Sequence, residues 1–234
     1  MNAAAGAPGG SLLARSRAWA VAHPSAILLL VQLVAVVLYP LLQDVAGRAM
    51  FGAFGILVLS LAVWVVNRNP GVKWLGWLLA VPAVVLSLGA ALAGHPEWQA
   101  MGYVLEALLY LYAAACLTAY MLGDARVTID DLFAIGATFT LLAWAFAYAF
   151  AACQLQWPGS FTGAVQPEQP RGWMELLYLS FSILSSTGLS DVIPLSPAAR
   201  SLAMLEMFAG VMYMAMVVAR LVGLVSKRGV SPSD

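Results

Sequence analysis

The segment WMELLYLSFSILSSTGLSD, residues 173–191, joins an apolar stretch directly to a polar one. Residues 173–184 are mostly apolar and typical of a helix, whereas residues 185–191 form a short polar stretch. A helix of this length extends about 18 Å, and a membrane crossing needs about 20 apolar residues. Non-helical backbone at membrane depth is tolerated only where protein buries it or where it lines a water-filled path. The segment therefore predicts a re-entrant loop.

The composition of the whole chain indicates that this loop lies in a lipid bilayer. Of 234 residues, 62% are hydrophobic and 9% are charged, compared with about 25% charged residues in an ordinary soluble domain. So few charges do not cover the surface of a soluble fold of this size, and the solvent for much of the chain must be lipid. The formal net charge is zero, so neither a nucleic-acid partner nor a soluble partner is predicted.

Six windows are apolar enough for helices that cross a membrane. The breaks between them are mostly short and carry the glycine, proline, asparagine and aspartate residues of turns. The windows cover residues 24–42, 50–66, 73–93, 100–122, 131–154 and 198–224. The sequence therefore predicts an all-α membrane protein with six transmembrane helices and a re-entrant helix between helices five and six.

Lysine and arginine residues indicate the orientation of these helices, because cytoplasmic loops carry an excess of them. With a cytoplasmic N-terminus, three of the eleven lie outside, namely Arg48, Arg171 and Arg200, and the rest lie inside. We therefore predict a multi-pass protein of the cell (inner) membrane with both termini in the cytoplasm.

Residues 127–224 resemble a known family. The run YLSFSILSSTGLSDVIPLSPAARSLAMLEMFAGVMYMAMVVARLVGL, residues 178–224, is similar to the pore helix, filter and inner helix of the tetrameric potassium channel superfamily, in its bacterial six-helix ion channel branch. The run VTIDDLFAIGATFTLLAWAFAYAF, residues 127–150, resembles the outer helix of that branch. The resemblance implies a homotetramer in the lipid bilayer, in which four copies surround one ion path. Before residue 127, only the count of four preceding spans agrees with six-helix channels.

The selectivity filter of that family reads T-V-G-Y-G-D, and the corresponding residues here are STGLSD, 186–191. In the family, backbone carbonyl groups replace the hydration shell of the ion. The resemblance implies an ion-binding filter formed by Ser186, Thr187, Gly188, Leu189 and Ser190. A monovalent cation (K⁺ or Na⁺) would lie at Ser186, Thr187 and Gly188, and no organic cofactor is implied.

Two departures from that motif change the predicted filter. A residue other than glycine costs roughly 1–2 kcal/mol in a left-handed backbone conformation. Ser190, at the second glycine position, therefore makes the usual outer part of the filter harder to form. Leu189, at the tyrosine position, removes a phenol that braces the filter in the family. We therefore predict a filter that is remodelled at its outer end, which affects potassium selectivity more than cation permeation.

Residues near the filter have predicted roles, each with a structural alternative. Asp191 would form an acidic ring at the outer mouth, or it is a loop or capping carboxylate. Gly210 matches the hinge position of the family's inner helix, or it allows close packing. Met212 and Met216 would narrow the inner mouth as a gate, or they fill a core. Glu206 takes part in the ion path, or it makes a structural hydrogen bond behind the filter.

The chain divides into four predicted parts. Residues 1–22 form a cytoplasmic segment, 23–123 a four-helix domain like a voltage sensor, 124–226 the pore domain and 227–234 a tail. A voltage sensor needs arginines repeated along its fourth helix, and the window 100–122 has none. We therefore predict a cation channel that is not strongly voltage-gated and is not an enzyme.

Three other functions are alternatives to the channel. Ser190 and Leu189 also suit a non-conducting, channel-like scaffold or subunit. The sequence Gly188-Leu189-Ser190 has the G-x-S arrangement of membrane serine hydrolases, which need a base beside the serine, but His23 and His95 are the only histidines and lie at span ends. A secondary transporter would often show broken helices in both halves of the chain, and only one re-entrant segment is predicted.

Overall fold

The computed structural model describes residues 23–41, 73–93, 96–123 and 128–228, which form six α-helices and two short strands. The helices are α1 (Pro24–Leu38, continued by a 3-10 turn at Tyr39–Leu41), α2 (Lys73–Ala93), α3 (Pro96–Gly123), α4 (Ile129–Gln156), α5 (Trp173–Leu184) and α6 (Pro197–Arg228). Strand β1 (Phe161–Thr162) lies between α4 and α5, and β2 (Ile193–Pro194) lies between α5 and α6.

Four of these helices are long and apolar enough to cross a membrane: α1 with its 3-10 turn, α3, α4 and α6. Helix α2 continues through Pro82, and its described apolar stretch, Gly76–Leu86, is shorter. The predicted span at residues 50–66 lies outside the described residues. The prediction of a mostly helical protein with membrane-length apolar helices is therefore confirmed, and the count of six stays a prediction.

Helices α1 and α4 begin side by side. A capping box starts α4, in which the Asp131 amide donates to the Thr128 hydroxyl at 3.2 Å and the Thr128 amide donates to the Asp131 carboxylate at 2.8 Å. The amide and hydroxyl groups of Ser25, in the first turn of α1, donate to the carboxylate of Asp130 at 3.1 and 2.9 Å. Asp130 therefore satisfies an amide that the start of α1 would otherwise leave unpaired.

An aromatic cluster fixes the first residue of α5 against the other helices. The ring of Trp173 lies 5.3 Å from that of Trp144 and 5.8 Å from that of Tyr148, both on α4. Tyr148 stacks on Tyr110 of α3, with ring centroids 5.6 Å apart, and Tyr39, after α1, lies 5.7 Å from Trp173. Aromatic pairs at these distances add to the free energy of burial, so α1, α3 and α4 all hold the beginning of α5.

Helix α5 has the bounds that the sequence predicts, residues 173–184. Its twelve residues bury Leu176, Leu177 and Leu184 almost completely, and it contacts both α4 and α6. The strands β1 and β2 pair in antiparallel fashion, with Phe161 opposite Pro194 and Thr162 opposite Ile193. The chain before α5 and the chain after the polar loop are therefore joined directly.

Candidate functional site

The polar loop of residues 185–191 begins where α5 ends, and one residue of α5 holds it. The carbonyl oxygen of Ser182 accepts hydrogen bonds from the amides of Thr187 at 3.1 Å and Gly188 at 3.3 Å. The Ser182 hydroxyl accepts a third hydrogen bond from the amide of Ser190 at 3.0 Å. Ser182 is buried. Ser182 is not among the predicted site residues, although a serine on an apolar helix shortly before a polar loop is a usable signal.

The backbone of the loop turns through two residues with positive φ angles. These are Ser186, at 59°, and Gly188, at 66°. Ser190, where the sequence analysis placed the cost of a non-glycine residue, is not among the positive-φ residues of the described chain. The residue that carries the steric cost of a left-handed conformation is therefore Ser186.

Three consecutive carbonyl groups of this loop are available as ligands. Ser186, Thr187 and Gly188 are exposed, and within the described part of the chain no hydrogen bond is accepted by their carbonyl oxygens. The Ser186 hydroxyl likewise has no partner there, whereas the Thr187 hydroxyl lies 3.0 Å from that of Ser185. Backbone carbonyl and hydroxyl oxygens are ligands for cations, so the loop presents a set of oxygen atoms that could bind one.

The end of the loop that follows Gly188 is turned towards α5. The carbonyl oxygen of Leu189 accepts a hydrogen bond from the hydroxyl of Tyr178, on α5, at 3.1 Å. Leu189 itself is 73% exposed. A phenol thus braces this stretch, but it comes from the helix and not from the loop. Tyr178 is a second residue that the sequence analysis did not assign to the site.

Asp191 is the exposed carboxylate next to these groups. It makes no hydrogen bond or ion pair with any residue that the structure describes. The neighbouring Ser190 hydroxyl instead accepts a hydrogen bond from the amide of Val192 at 3.0 Å. The Asp191 charge is therefore open to solvent at the end of the loop.

Gly210 lies where α6 passes closest to the end of α5. A Cβ atom added at this position would lie 2.4 Å from the carbonyl oxygen of Leu184, so only glycine fits. This contact favours the close-packing alternative for Gly210. Met212 is exposed and Met216 is half-buried, both further along α6, and the single chain does not bring them to the polar loop.

Glu206 is fully buried between the helices. One of its carboxyl oxygens, Oε1, is within hydrogen-bonding distance of the hydroxyl of Ser180, on α5. The same hydroxyl donates to the carbonyl oxygen of Ala143, on α4, at 2.8 Å. The side chain therefore faces α5 and α4, as expected for a structural hydrogen bond behind the polar loop.

The loop before α5, residues 157–172, is organised around Arg171. The backbone amide of Arg171 donates to the side-chain oxygen of Gln154 at 2.7 Å, and the side-chain nitrogen of Gln154 donates to the backbone carbonyl of Arg171 at 3.0 Å. Its side chain, buried despite its charge, donates to the carbonyl groups of Val165, Gln166 and Gln169 and to the carboxylate of Glu175. Glu175 also accepts a hydrogen bond at 2.6 Å from the amide of Gly172, at the start of α5.

Of the residues weighed for serine hydrolase chemistry, the structure describes Ser190 and His23 and does not bring these two together. Among the described residues, no histidine lies in hydrogen-bond contact with Ser190. The ring of His23 packs against Phe133, near the start of α4, with centroids 6.5 Å apart, and His95 lies outside the described residues.

The family model described as "Ion channel" matches residues 136–227. This region begins within α4 and contains the Arg171 loop, α5, the polar loop and nearly all of α6. The match supports an ion channel family and a membrane protein, and it favours a transport function over catalysis. No curated protein and no solved structure matches the chain.

Proposed function

We propose, taking the similarity of residues 136–227 to ion channels as the premise, that this chain is one subunit of a homotetrameric cation channel. It would belong to the bacterial six-helix branch of the tetrameric potassium channel superfamily, in the inner membrane with both termini cytoplasmic. The polar loop would be the filter, α5 the pore helix and α6 the inner helix. Because α3 carries no lysine or arginine, strong voltage gating is not expected.

The observation that carries this proposal is the set of unpaired oxygen atoms after α5. Buried or membrane-embedded carbonyl groups nearly always have a hydrogen-bond partner. Those of Ser186, Thr187 and Gly188 have none within the described chain, although they follow a short apolar helix between two long apolar ones. A cation, together with water in the ion path, would satisfy them.

One chain alone cannot enclose an ion with this loop, because residues 185–189 are exposed. Helix α6 is also largely uncovered: Met204, Leu205, Met207, Phe208, Val211, Met212, Met214, Val218 and Val222 are all exposed. In a closed, fourfold arrangement, each loop would supply one side of the ion path. Part of the α6 surface would then contact the other copies, and the rest would contact lipid.

The charges near the loop favour cations over anions. Helix α5 ends at the loop, and the C-terminal end of a helix carries a partial negative charge. Four copies of the exposed Asp191 would add an acidic ring at the outer mouth, which concentrates cations. Because the Leu189 carbonyl is engaged by Tyr178, we expect fewer ion sites than in a T-V-G-Y-G filter and a weaker preference for K⁺ over Na⁺.

The test is K⁺ flux and Na⁺ flux, measured separately in liposomes that contain only this protein. The double variant Ser190→Gly with Leu189→Tyr is measured alongside, and cross-linking in the same liposomes reports the number of subunits. We expect both ions to pass through the native tetramer, with a sharper K⁺ preference in the variant. A monomer or dimer in the membrane would contradict the proposal.

A second candidate function, a non-conducting channel-like scaffold, is favoured by the bonds at the outer end of the loop. Tyr178 occupies the Leu189 carbonyl oxygen, which removes one ligand, and Ser182 accepts from the Ser190 amide, which restrains the loop against α5. Silence of the native tetramer at all tested voltages and pH values, with flux in the double variant, would favour the scaffold.

A further inference from the structure

Glu206 is a buried carboxyl group that the proposed ion path does not use. Three helices meet at its single described contact. The Ser180 hydroxyl oxygen of α5 lies 2.8 Å from the carbonyl oxygen of Ala143 on α4 and within hydrogen-bonding distance of Glu206 Oε1 on α6. Ser180 and Glu206 both have 0% exposure, so water does not complete this arrangement from outside.

The hydrogen atoms at this junction can be counted. A serine hydroxyl has one proton to donate, and a backbone carbonyl has none. The Ala143 carbonyl and Glu206 Oε1 compete for this single proton, and because the contact with Ala143, at 2.8 Å, has the length of an ordinary hydrogen bond, we assign the Ser180 proton to it. The second contact, between the Ser180 oxygen and Glu206 Oε1, then needs a proton that only the carboxyl group can supply. We propose that Glu206 is an un-ionised carboxylic acid that donates a hydrogen bond to Ser180 and thereby positions α5 between α4 and α6.

The charges around Glu206 agree with this protonation state. The other carboxylates of the packed helices are engaged elsewhere: Asp130 with Ser25, Asp131 with Thr128 and Glu175 with Arg171. Arg200, at the start of α6, donates to the carbonyl of Pro194, and Arg220 lies near the end of α6. No ion pair of the described residues includes Glu206, and its Oε2 atom has no partner there. A buried carboxylate without a cation is strongly disfavoured, whereas a neutral acid is tolerated.

The position of this contact explains why it matters for the loop. Glu206 precedes Gly210 by one helical turn on α6, and Gly210 touches Leu184 at the end of α5. Between Ser180 and Leu184 lies Ser182, which holds the polar loop. Glu206 is therefore a positioning residue for the loop. The proton count does not depend on ion conduction, while the effect on selectivity rests on the proposed function.

The experiment is infrared difference spectroscopy of the full chain in liposomes at neutral pH. We expect the native protein to show the C=O stretching band of an un-ionised carboxylic acid that Glu206→Gln lacks. Ser180→Ala should move this band to higher frequency, because the acid loses its hydrogen-bond acceptor. Glu168→Gln, which removes an exposed carboxylate outside the helices, is the control and should leave the band unchanged.

Three results would overturn the proposal: no acid band in the native protein, loss of an ionised carboxylate band in Glu206→Gln, or an acid band that Ser180→Ala leaves in place. The native and Ser180→Ala spectra suffice if Glu206→Gln does not fold. The positioning role is tested separately by the ratio of K⁺ flux to Na⁺ flux. Glu206→Gln should keep the ratio, since its amide still donates to Ser180, and Glu206→Leu should change it. An unchanged ratio in Glu206→Leu would refute the positioning role.

Discussion

The loops before and after α5 differ in the hydrogen-bond partners of their backbone carbonyl groups. In residues 157–172, a single buried guanidinium group gathers three carbonyl groups and a carboxylate. In residues 185–191, three consecutive carbonyl groups have no partner within the described chain. Arg171 thus holds much of the first loop from within the chain, whereas the three carbonyl groups of the second loop are exposed. The difference indicates that α5 is anchored at its beginning, and under the proposed function its far end is left to present ligands.

The largest expected effect is a loss of folding free energy when Arg171→Ala disrupts the loop before α5. The substitution leaves the carbonyl groups of Val165, Gln166 and Gln169 without a donor, and we expect a loss of roughly 2–4 kcal/mol of folding free energy. Thermal unfolding in mild detergent measures it. The matched control is Arg200→Ala, because Arg200 is exposed and its side chain makes one hydrogen bond, to the carbonyl of Pro194. Equal unfolding temperatures for the two variants would show that the guanidinium group does not organise the loop.

The second prediction tests the contact between α6 and the end of α5, directly before the polar loop. Gly210→Ala pushes a methyl group against the Leu184 carbonyl oxygen, which cannot move without α5. We expect a net loss of about 1–2 kcal/mol, because overpacking outweighs the better helix propensity of alanine. Ion flux in liposomes should fall with it.

Gly136→Ala is the matched control for this prediction. Its Cβ atom would meet the end of the Leu29 side chain at 2.9 Å, which can rotate away. We expect unchanged or slightly higher thermal stability and normal flux. If Gly136→Ala were as harmful as Gly210→Ala, the contact with Leu184 would not be the cause.

The third prediction separates the two ways in which Ser182 holds the polar loop, through its hydroxyl and through its carbonyl group. Ser182→Ala removes the acceptor of the Ser190 amide but leaves the Ser182 carbonyl, which holds Thr187 and Gly188. We expect a cost of about 1 kcal/mol and a several-fold change in the ratio of K⁺ to Na⁺ permeability, measured from reversal potentials. Ser201→Ala, which removes a hydrogen bond within α6, should leave the ratio unchanged. A similar shift in both variants would refute the role of Ser182.

The smallest effect is expected at the charge beside the loop. Asp191→Asn should lower flux a few-fold at low ionic strength and very little at high ionic strength, because salt screens exposed charges. The same measurement on Glu168→Gln, which changes an exposed carboxylate of the first loop, should show no such salt dependence. A loss of flux in Asp191→Asn that persists at high salt would point to a direct structural role for the carboxylate.

The elements of this structure were largely predictable because they depend on local sequence. The apolar runs locate the helices, and the step from apolar to polar residues gives the end of α5 at Leu184. The capping box at Thr128 and Asp131 is also a local signal. The bounds of α5 follow from neighbours within one helical turn, and the capping box explains why α4 begins at Ile129, two residues before the predicted window.

The contacts of the candidate site were less predictable, because they join residues through tertiary structure. Arg171 counted in the sequence only as a positive charge outside the membrane, and its burial depends on how the preceding loop folds back. Ser182 and Tyr178 looked like ordinary residues of an apolar helix until the loop returned to them. The left-handed conformation at Ser186 likewise depends on the hydrogen bonds that turn the loop.

The short pairing of β1 with β2 has a consequence for how this region could change through evolution. The ladder joins Phe161 to Pro194 and Thr162 to Ile193, so it closes a ring of chain that contains the Arg171 loop, α5 and the polar loop. Because the two strands at the base of this ring are paired, its two ends stay together whatever sequence lies between them. Recombination or grafting at this base would exchange the whole segment that carries the proposed filter, while the long helices kept their own sequences.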